Sequence, residues 1–406
     1  MNKKILVVSP SLPFPVSGAE QADRARGFQL LKELGFEVRS VVKLVAWHSQ
    51  EWVSDIEKKL GIKIIPVSYK YSNTDKKLNF REKLKKNIKK FSNPLFLDGA
   101  AFEFSEPEIQ FAVKNEIENW KPDFVWFDYT YLWPLYKFAK KKGIPVITRS
   151  VNFEPIHFLE EDGFTIFNFL KAIPKLISEF KITKNSDLVF SISPKEAGIY
   201  RKMGAKNVIN LPLRSLPYLI KNSREIENKG KLNVFFLGSS YNVSHNKKAL
   251  KFVIKEIIPE IEKRQPENFT FHILGSKLPK GLDKYFSETV LYQGYVEDLE
   301  QFLEGMDISL APSLAGAGMQ QKIFEPLVRG IPTIASERGI TGYPFKNEEH
   351  LLFAKTKEEF ADCVIGLQDQ ALRKKLSENS IRLSQKLFSR ETIASTILKG
   401  IKELEK

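Results

Sequence analysis

The sequence predicts an α/β protein of two domains, each a parallel sheet flanked by helices, and three observations carry that prediction. Short β-branched or aromatic runs recur along the 406 residues, each followed by a turn and a helical pattern, as in βα units around a parallel sheet. The rhythm stops once, in the polar, unpatterned stretch Lys221–Lys231 (KNSREIENKGK), and then restarts. Both halves also begin alike, with a strand, a Gly/Ser/Pro loop and a long amphipathic helix. The reading is two Rossmann-like domains in tandem, 1–220 and 221–388, followed by a helical tail, 389–406, expected to return to the first domain.

In order, the expected strands of the first domain are Ile5–Val8, Val38–Lys43, Lys63–Val67, Phe124–Phe127, Val146–Thr148, Leu188–Ile192 and Val208–Leu211. Those of the second are Asn233–Leu237, Thr270–Leu274, Val290–Tyr292, Ile308–Ala311 and Thr333–Ala335. The opening helices are Ala19–Leu34, with Ser17 and Glu20 as a capping box, and Asn246–Lys263. Ligands of such sheets sit beyond the carboxyl ends of the strands, so two domains facing each other would put the site in a central cleft.

Composition narrows the function classes. Hydrophobic residues make up 42% and charged residues 28%, with no low-complexity tract, which excludes disordered and fibrous classes. The single cysteine, Cys363, excludes a disulfide framework and a thiolate-built zinc site, and it is expected inside an apolar helix. The apolar run at the start ends at Ser9-Pro10, short of a signal peptide, and no stretch reaches the ~20 residues of a membrane span, so the expected location is cytoplasmic. Lys plus Arg outnumber Asp plus Glu 63 to 49, a net charge of +14 that suits an anionic partner. The excess is densest from Lys76 to Lys90, within the region Lys76–Phe96, where Lys83, Lys85, Lys86, Lys89 and Lys90 interleave with Leu78, Leu84, Ile88 and Phe91. That pattern suits either a solvated helix face or peripheral docking on an anionic membrane at the inner face of the plasma membrane, with Phe80, Phe91, Leu95 and Phe96 as wedges. No nucleic-acid recognition module is present in the pattern, so nucleic acid is not an expected partner.

The segment from Ala311 to Ser336 is richest in chemistry. A buried strand ending at Ala311 leads through a loop bearing Gly316 and Gly318 into a helix whose apolar face holds Ile323, Phe324, Leu327 and Val328. That helix starts at the ligand edge of the sheet, where backbone N–H groups of Met319, Gln320 and Gln321 can cradle a diphosphate and Lys322 adds a positive charge. Glu325 lies one turn on and nearly on the same face, so its carboxylate can accept both hydroxyls of a ribose. The plain alternative is an i,i+3 Lys322–Glu325 ion pair worth ~0.2–0.5 kcal/mol.

Gly316, Gly318, Lys322, Glu325, Pro326, Gly330 and Pro332 fit the pattern G-x-G-x-x-x-K-x-x-E-(A/P)-x-x-x-G-x-P. On that motif the chain resembles, from Ser9 to about Phe388, the GT-B glycosyltransferases, in particular the retaining family 4 group that builds bacterial surface polysaccharides and glycolipids. The resemblance implies that Glu325 binds the ribose of a nucleotide-sugar and that Lys322 and the Gly318–Gln320 amides bind its diphosphate. It likewise implies donor contacts from the Gly18 amide, from Gly238 and Ser239 in the Phe236–Tyr241 loop, from Gly275, and from Tyr295 stacking on the base. Arg24 is expected to face either the cleft or solvent.

Two departures from the family pattern stand out. Ala317 occupies the position of a common second Glu, and Val151 that of a His in Arg149-Ser150-Val151-Asn152-Phe153-Glu154, which resembles R-x-H-N-x-E. The candidate catalytic groups on the acceptor side are then Glu154 and Asp128, with His157 as a substitute for the missing His and Lys322 stabilising the leaving diphosphate. The expected activity is transfer of a sugar from a UDP- or GDP-sugar to a saccharide or lipid-linked saccharide acceptor, with retention, no bound cofactor and no metal. A sugar-nucleotide 2-epimerase and a non-catalytic binding subunit are the alternatives.

Overall fold

The computed structural model describes residues 3–16, 18–44, 49–68, 81, 84, 88, 98–227, 230–314, 319–340 and 342–406. They form two compact units, one comprising Met1–Leu159, Gly163–Ser215 and Ile393–Lys406, the other Glu160–Asp162 and Leu216–Thr392. Ser17, Gly316, Ala317, Gly318 and nearly all of Lys76–Phe96 lie outside the described residues.

The first unit holds seven parallel strands: β1 (Lys4–Ser9), β2 (Glu37–Leu44), β3 (Lys63–Ser68), β4 (Phe124–Phe127), β5 (Val146–Ser150), β6 (Leu188–Ser191) and β7 (Val208–Asn210). Their order is β3-β2-β1-β4-β5-β6-β7. Strands covered by helices on both faces read as unbroken apolar runs, as in the wholly buried FVWF of β4. The helix Arg390–Glu403 belongs to this core, through Ile393, Ile397 and Ile401 at four-residue spacing. It comes so close to β6 that a Cβ on Gly400 would lie 2.7 Å from the Phe190 ring and 2.8 Å from Leu188.

The second unit holds β8 (Leu232–Ser240), β9 (Phe269–Ser276), β10 (Val290–Gly294), β11 (Ile308–Ala311), β12 (Thr333–Ala335) and β13 (Leu352–Phe353), parallel in the order β10-β9-β8-β11-β12-β13. Each of the twelve expected runs overlaps a strand. The unexpected β13 has two residues, too few to leave a pattern. The expected helix Asn246–Lys263 spans Ser244–Arg264 with a π-helical stretch at Val253–Ile257. Pro259 follows two residues after its end; it has no N–H for the i−4 carbonyl and its ring crowds that group, which a wider turn relieves.

The polar stretch after Lys221 is strapped onto the second unit rather than hanging free. The Lys221 amide donates to the Val328 carbonyl (3.1 Å), and Arg224 Nη2 donates to the carbonyls of Leu303 (3.1 Å) and Glu304 (3.2 Å), filling acceptors at the end of the Leu299–Glu304 helix. Cys363 is half-buried in the helix Lys357–Gly366, and burial pushes its thiol up to about 11. Among the described residues no helix is long and apolar enough to cross a membrane.

Candidate active site

Strand order locates the ligand edges. In each sheet the chain builds outward on one side of the first strand and then returns to the other side, so the order reverses between β1 and β4 and between β8 and β11. Loops leaving the carboxyl ends at such a reversal splay apart and leave a crevice for ligand. The residues brought there are Gly18 and Asp128 in the first unit, and Gly238, Ser239 and the 319–325 segment in the second.

In the second unit the helix Gln321–Val328 begins with Gln320 at its N-cap and no side-chain cap, so its first amides have no side-chain acceptor at the cap. This start is one residue later than the cradle read from sequence. Met319 is buried beside it, and the side-chain oxygen of Gln320 is buried without a hydrogen-bond partner. Lys322 is half-buried, pairs with no carboxylate among the described residues, and burial pushes its ammonium down to about 8. The Lys322–Glu325 ion pair is absent. Instead Glu325, 3% exposed, accepts from Gln321 Nε2 (2.7 Å) through one oxygen and from Arg329 Nη2 (3.2 Å) through the other.

The glycines of the neighbouring loops pack against one tyrosine. A Cβ on Gly238 would lie 2.6 Å from the Tyr241 ring, and one on Gly275, whose φ is +137°, would lie 2.8 Å from it. Both glycines therefore make room for Tyr241, a residue the motif did not single out, whose hydroxyl donates to the Leu274 carbonyl. Tyr292 donates to the Gly275 carbonyl (2.6 Å), so the carbonyls of Leu274 and Gly275 both accept from tyrosines. Ser239 is exposed and accepts from Asn246 Nδ2 (2.9 Å), and Tyr295 is 69% exposed.

In the first unit Gly18 is the exposed N-cap of the helix Ala19–Glu33. The Glu20 carboxylate pairs with Arg24 on the next turn, and the capping box expected between Ser17 and Glu20 falls on a residue outside those described. Arg24 is 3% exposed, with Asp128 Oδ2 3.9 Å from its Nε. Asp128, 1% exposed, also accepts from Arg214 Nη2 (3.0 Å) and from Trp126 Nε1 (3.2 Å). Arg214 is shared with Asp23 (2.6 Å), where burial raises the carboxyl pKa but Arg214 and Arg149 more than offset it, holding it at about 2. Gly27 leaves the space for that guanidinium, since a Cβ there would lie 2.3 Å from it. Arg149, fully buried, spends its donors on the Leu211 and Pro212 carbonyls. Asp128 and Arg149 thus belong to a buried ionic network, with the Asp128 carboxylate engaged by Arg214, Arg24 and Trp126.

Glu154 opens the helix Glu154–Asp162, is only partly buried, accepts from the Tyr129 hydroxyl (2.7 Å) and lies 3.6 Å from Lys175 Nζ. Two buried carboxyls not singled out in the sequence hold that helix start: Phe153 N–H donates to Glu196 (2.9 Å) and Glu154 N–H to Glu179 (3.2 Å). Burial pushes both acids up, Glu196 to about 7 and Glu179 to about 8. The signal for Glu179 was its isolation as a lone acid in an apolar helix. His157 is half-buried on the same helix. No group of three His, Cys, Asp or Glu suited to a metal occurs among the described residues.

Residues 231–370, most of the second unit, match the family described as glycosyl transferases group 1. With the two parallel sheets, this match defines the class: a glycosyltransferase of the GT-B fold. Among solved structures, HepE of Anabaena in complex with UDP and glucose is similar over 99% of this chain and 100% of its own, at TM-score 0.64 and 13% identity. Sucrose-phosphate synthase of Thermosynechococcus elongatus is similar over 99% of both chains, at TM-score 0.69 and 15% identity. A 44.6 kDa protein of the cps region of Klebsiella pneumoniae is 21% identical over 98% of this chain and 99% of its own.

Proposed function

We propose that the protein transfers a sugar from a nucleoside-diphosphate-sugar, held by the second unit, to a saccharide or lipid-linked saccharide held by the first, in the assembly of a cell-surface polysaccharide. The observation that carries the donor assignment is Lys322: an ammonium withdrawn from water, with no carboxylate partner among the described residues, at the uncapped start of a helix on the ligand edge. Such a charge has a function when an anion arrives, and a leaving diphosphate gains negative charge as the glycosidic bond breaks. Met319 and Gln320 supply amides beside it, and Gly318, outside the described residues, is the third that the motif assigns to the diphosphate. Glu325, held by Gln321 and Arg329, takes the ribose hydroxyls. Gly18 and Glu154 take the sugar and acceptor side, and retention of configuration follows from the family resemblance. UDP is the first nucleotide to test, because it is the one named with HepE, and the cps-region relative supports a surface polysaccharide as the product's destination.

The test is thermal unfolding against UDP, GDP, ADP and dTDP and their sugars. A ligand at about 100 times its dissociation constant stabilises by ~2.7 kcal/mol. The expected result is a shift with one nucleotide that is lost in Lys322→Met and reduced in Glu325→Gln; no shift with any of them sinks the donor assignment. Conversion of the sugar-nucleotide without an acceptor would identify an epimerase instead.

A further inference from the structure

The helix Ile166–Asn185 of the first unit turns an apolar face outward. Ile166, Phe169, Leu170, Ile173, Leu176 and Phe180 recur at three- and four-residue spacings and are between 37% and 80% exposed. Phe164 and Phe167 extend the stripe at 67% and 74%. The opposite side, with Ala172, Ser178, Glu179 and Ile182, is the buried one. A surface helix ordinarily does the reverse, and scattered apolar residues are common where a contiguous stripe is not.

Charge selects the occupant. Of the four lysines on the helix, Lys175 is held by Asp98 and Glu154, which leaves Lys171, Lys181 and Lys184, and the single acid, Glu179, points into the core. A two-fold contact between copies would set these lysines against each other with no acid from this helix to offset them. An anionic surface meets them instead, and the net charge of +14 favours it further.

We infer that this face docks on an anionic lipid bilayer, with Phe164, Phe167 and Phe169 entering the boundary between headgroups and acyl chains and the lysines meeting the phosphates. The surface shares no residue with the proposed donor site and stands apart from that reading.

The test is co-sedimentation of the full chain with vesicles of phosphatidylcholine alone or mixed with phosphatidylglycerol. Wild type is expected on the mixed vesicles only. Phe169→Asp/Ile173→Asp, at two exposed positions, and Lys171→Glu/Lys184→Glu are each expected to weaken binding at least about tenfold, while keeping the wild-type melting shift with UDP. Wild type that ignores anionic vesicles, or variants that bind as it does, would overturn the inference. So would a wild-type dimer that the Asp variant converts to monomer without any vesicle binding, which would assign the face to a second copy.

Discussion

At the scale of single residues, the two ends of the pH range report on different groups. The Lys322 ammonium is lowered from 10.5 to about 8 by burial. Below that value both folded and unfolded chains are protonated, and the folded state carries the whole cost of the buried charge; the cost fades as pH rises from 8 to 10.5. Lys322→Met is therefore expected to stabilise the ligand-free protein at pH 7 by about 1–3 kcal/mol, read as a higher Tm, while abolishing the nucleotide-induced shift; a fall in Tm would mean that the ammonium has a protein partner. Glu179 and Glu196 act in the other direction. Their pKa values are raised from 4.5 to about 8 and about 7, so their stabilising contribution is complete below 4.5 and lost as pH rises through 7 to 8. Glu179→Gln is expected to flatten the decline of Tm between about pH 5 and 8, and an unchanged pH profile would count against burial as the cause. Lys322 and Glu325 were legible in the motif, but the partner of Glu325 was not. Sequence spacing favoured the neighbour three residues back, whereas Gln321 and Arg329, four residues away on either side, are closer in angle, and Arg329 brings a forked guanidinium.

At the scale of elements, close packing at one glycine sets the position of the helix Arg390–Glu403. Gly400→Ala forces a methyl group against Phe190 and Leu188, and the expected loss is about 1–3 kcal/mol, read as a lower urea midpoint with unchanged slope. Parallel strands were easy to read because burial on both faces leaves uninterrupted apolar runs. The helix Ile166–Asn185 was harder, since periodicity announces that an apolar face will be covered without saying by what. Charge density drew attention to Lys76–Phe96, while the apolar stripe of the helix Ile166–Asn185 shows only once its buried side is known. The glycines at 238 and 275 teach the same lesson, because a motif records that space is needed and only the packing shows that Tyr241 fills it.

At the scale of the molecule, the chain leaves the first unit at Ser215 and re-enters it at Ile393, so the second unit is almost continuous in sequence and the first is not. A fragment of residues 216–392 is expected to unfold cooperatively on its own and to keep the nucleotide-induced melting shift. A fragment ending at 215 lacks Ile393, Ile397 and Ile401 and is expected to aggregate, which light scattering would reveal. If the shorter C-terminal piece shows no shift with the nucleotide that stabilises the full chain, donor binding needs more than the second unit. The discontinuity also orders events in time. Synthesis runs from the amino terminus at roughly 5–20 residues per second, so the unit translated first is finished last: its sheet emerges early, yet the groove beside Leu188 and Phe190 stays open until the residues around Ile401 have been made. A nascent or prematurely terminated chain thus displays an unfilled apolar groove that the finished one hides, a mark by which a chaperone or protease can tell the two apart.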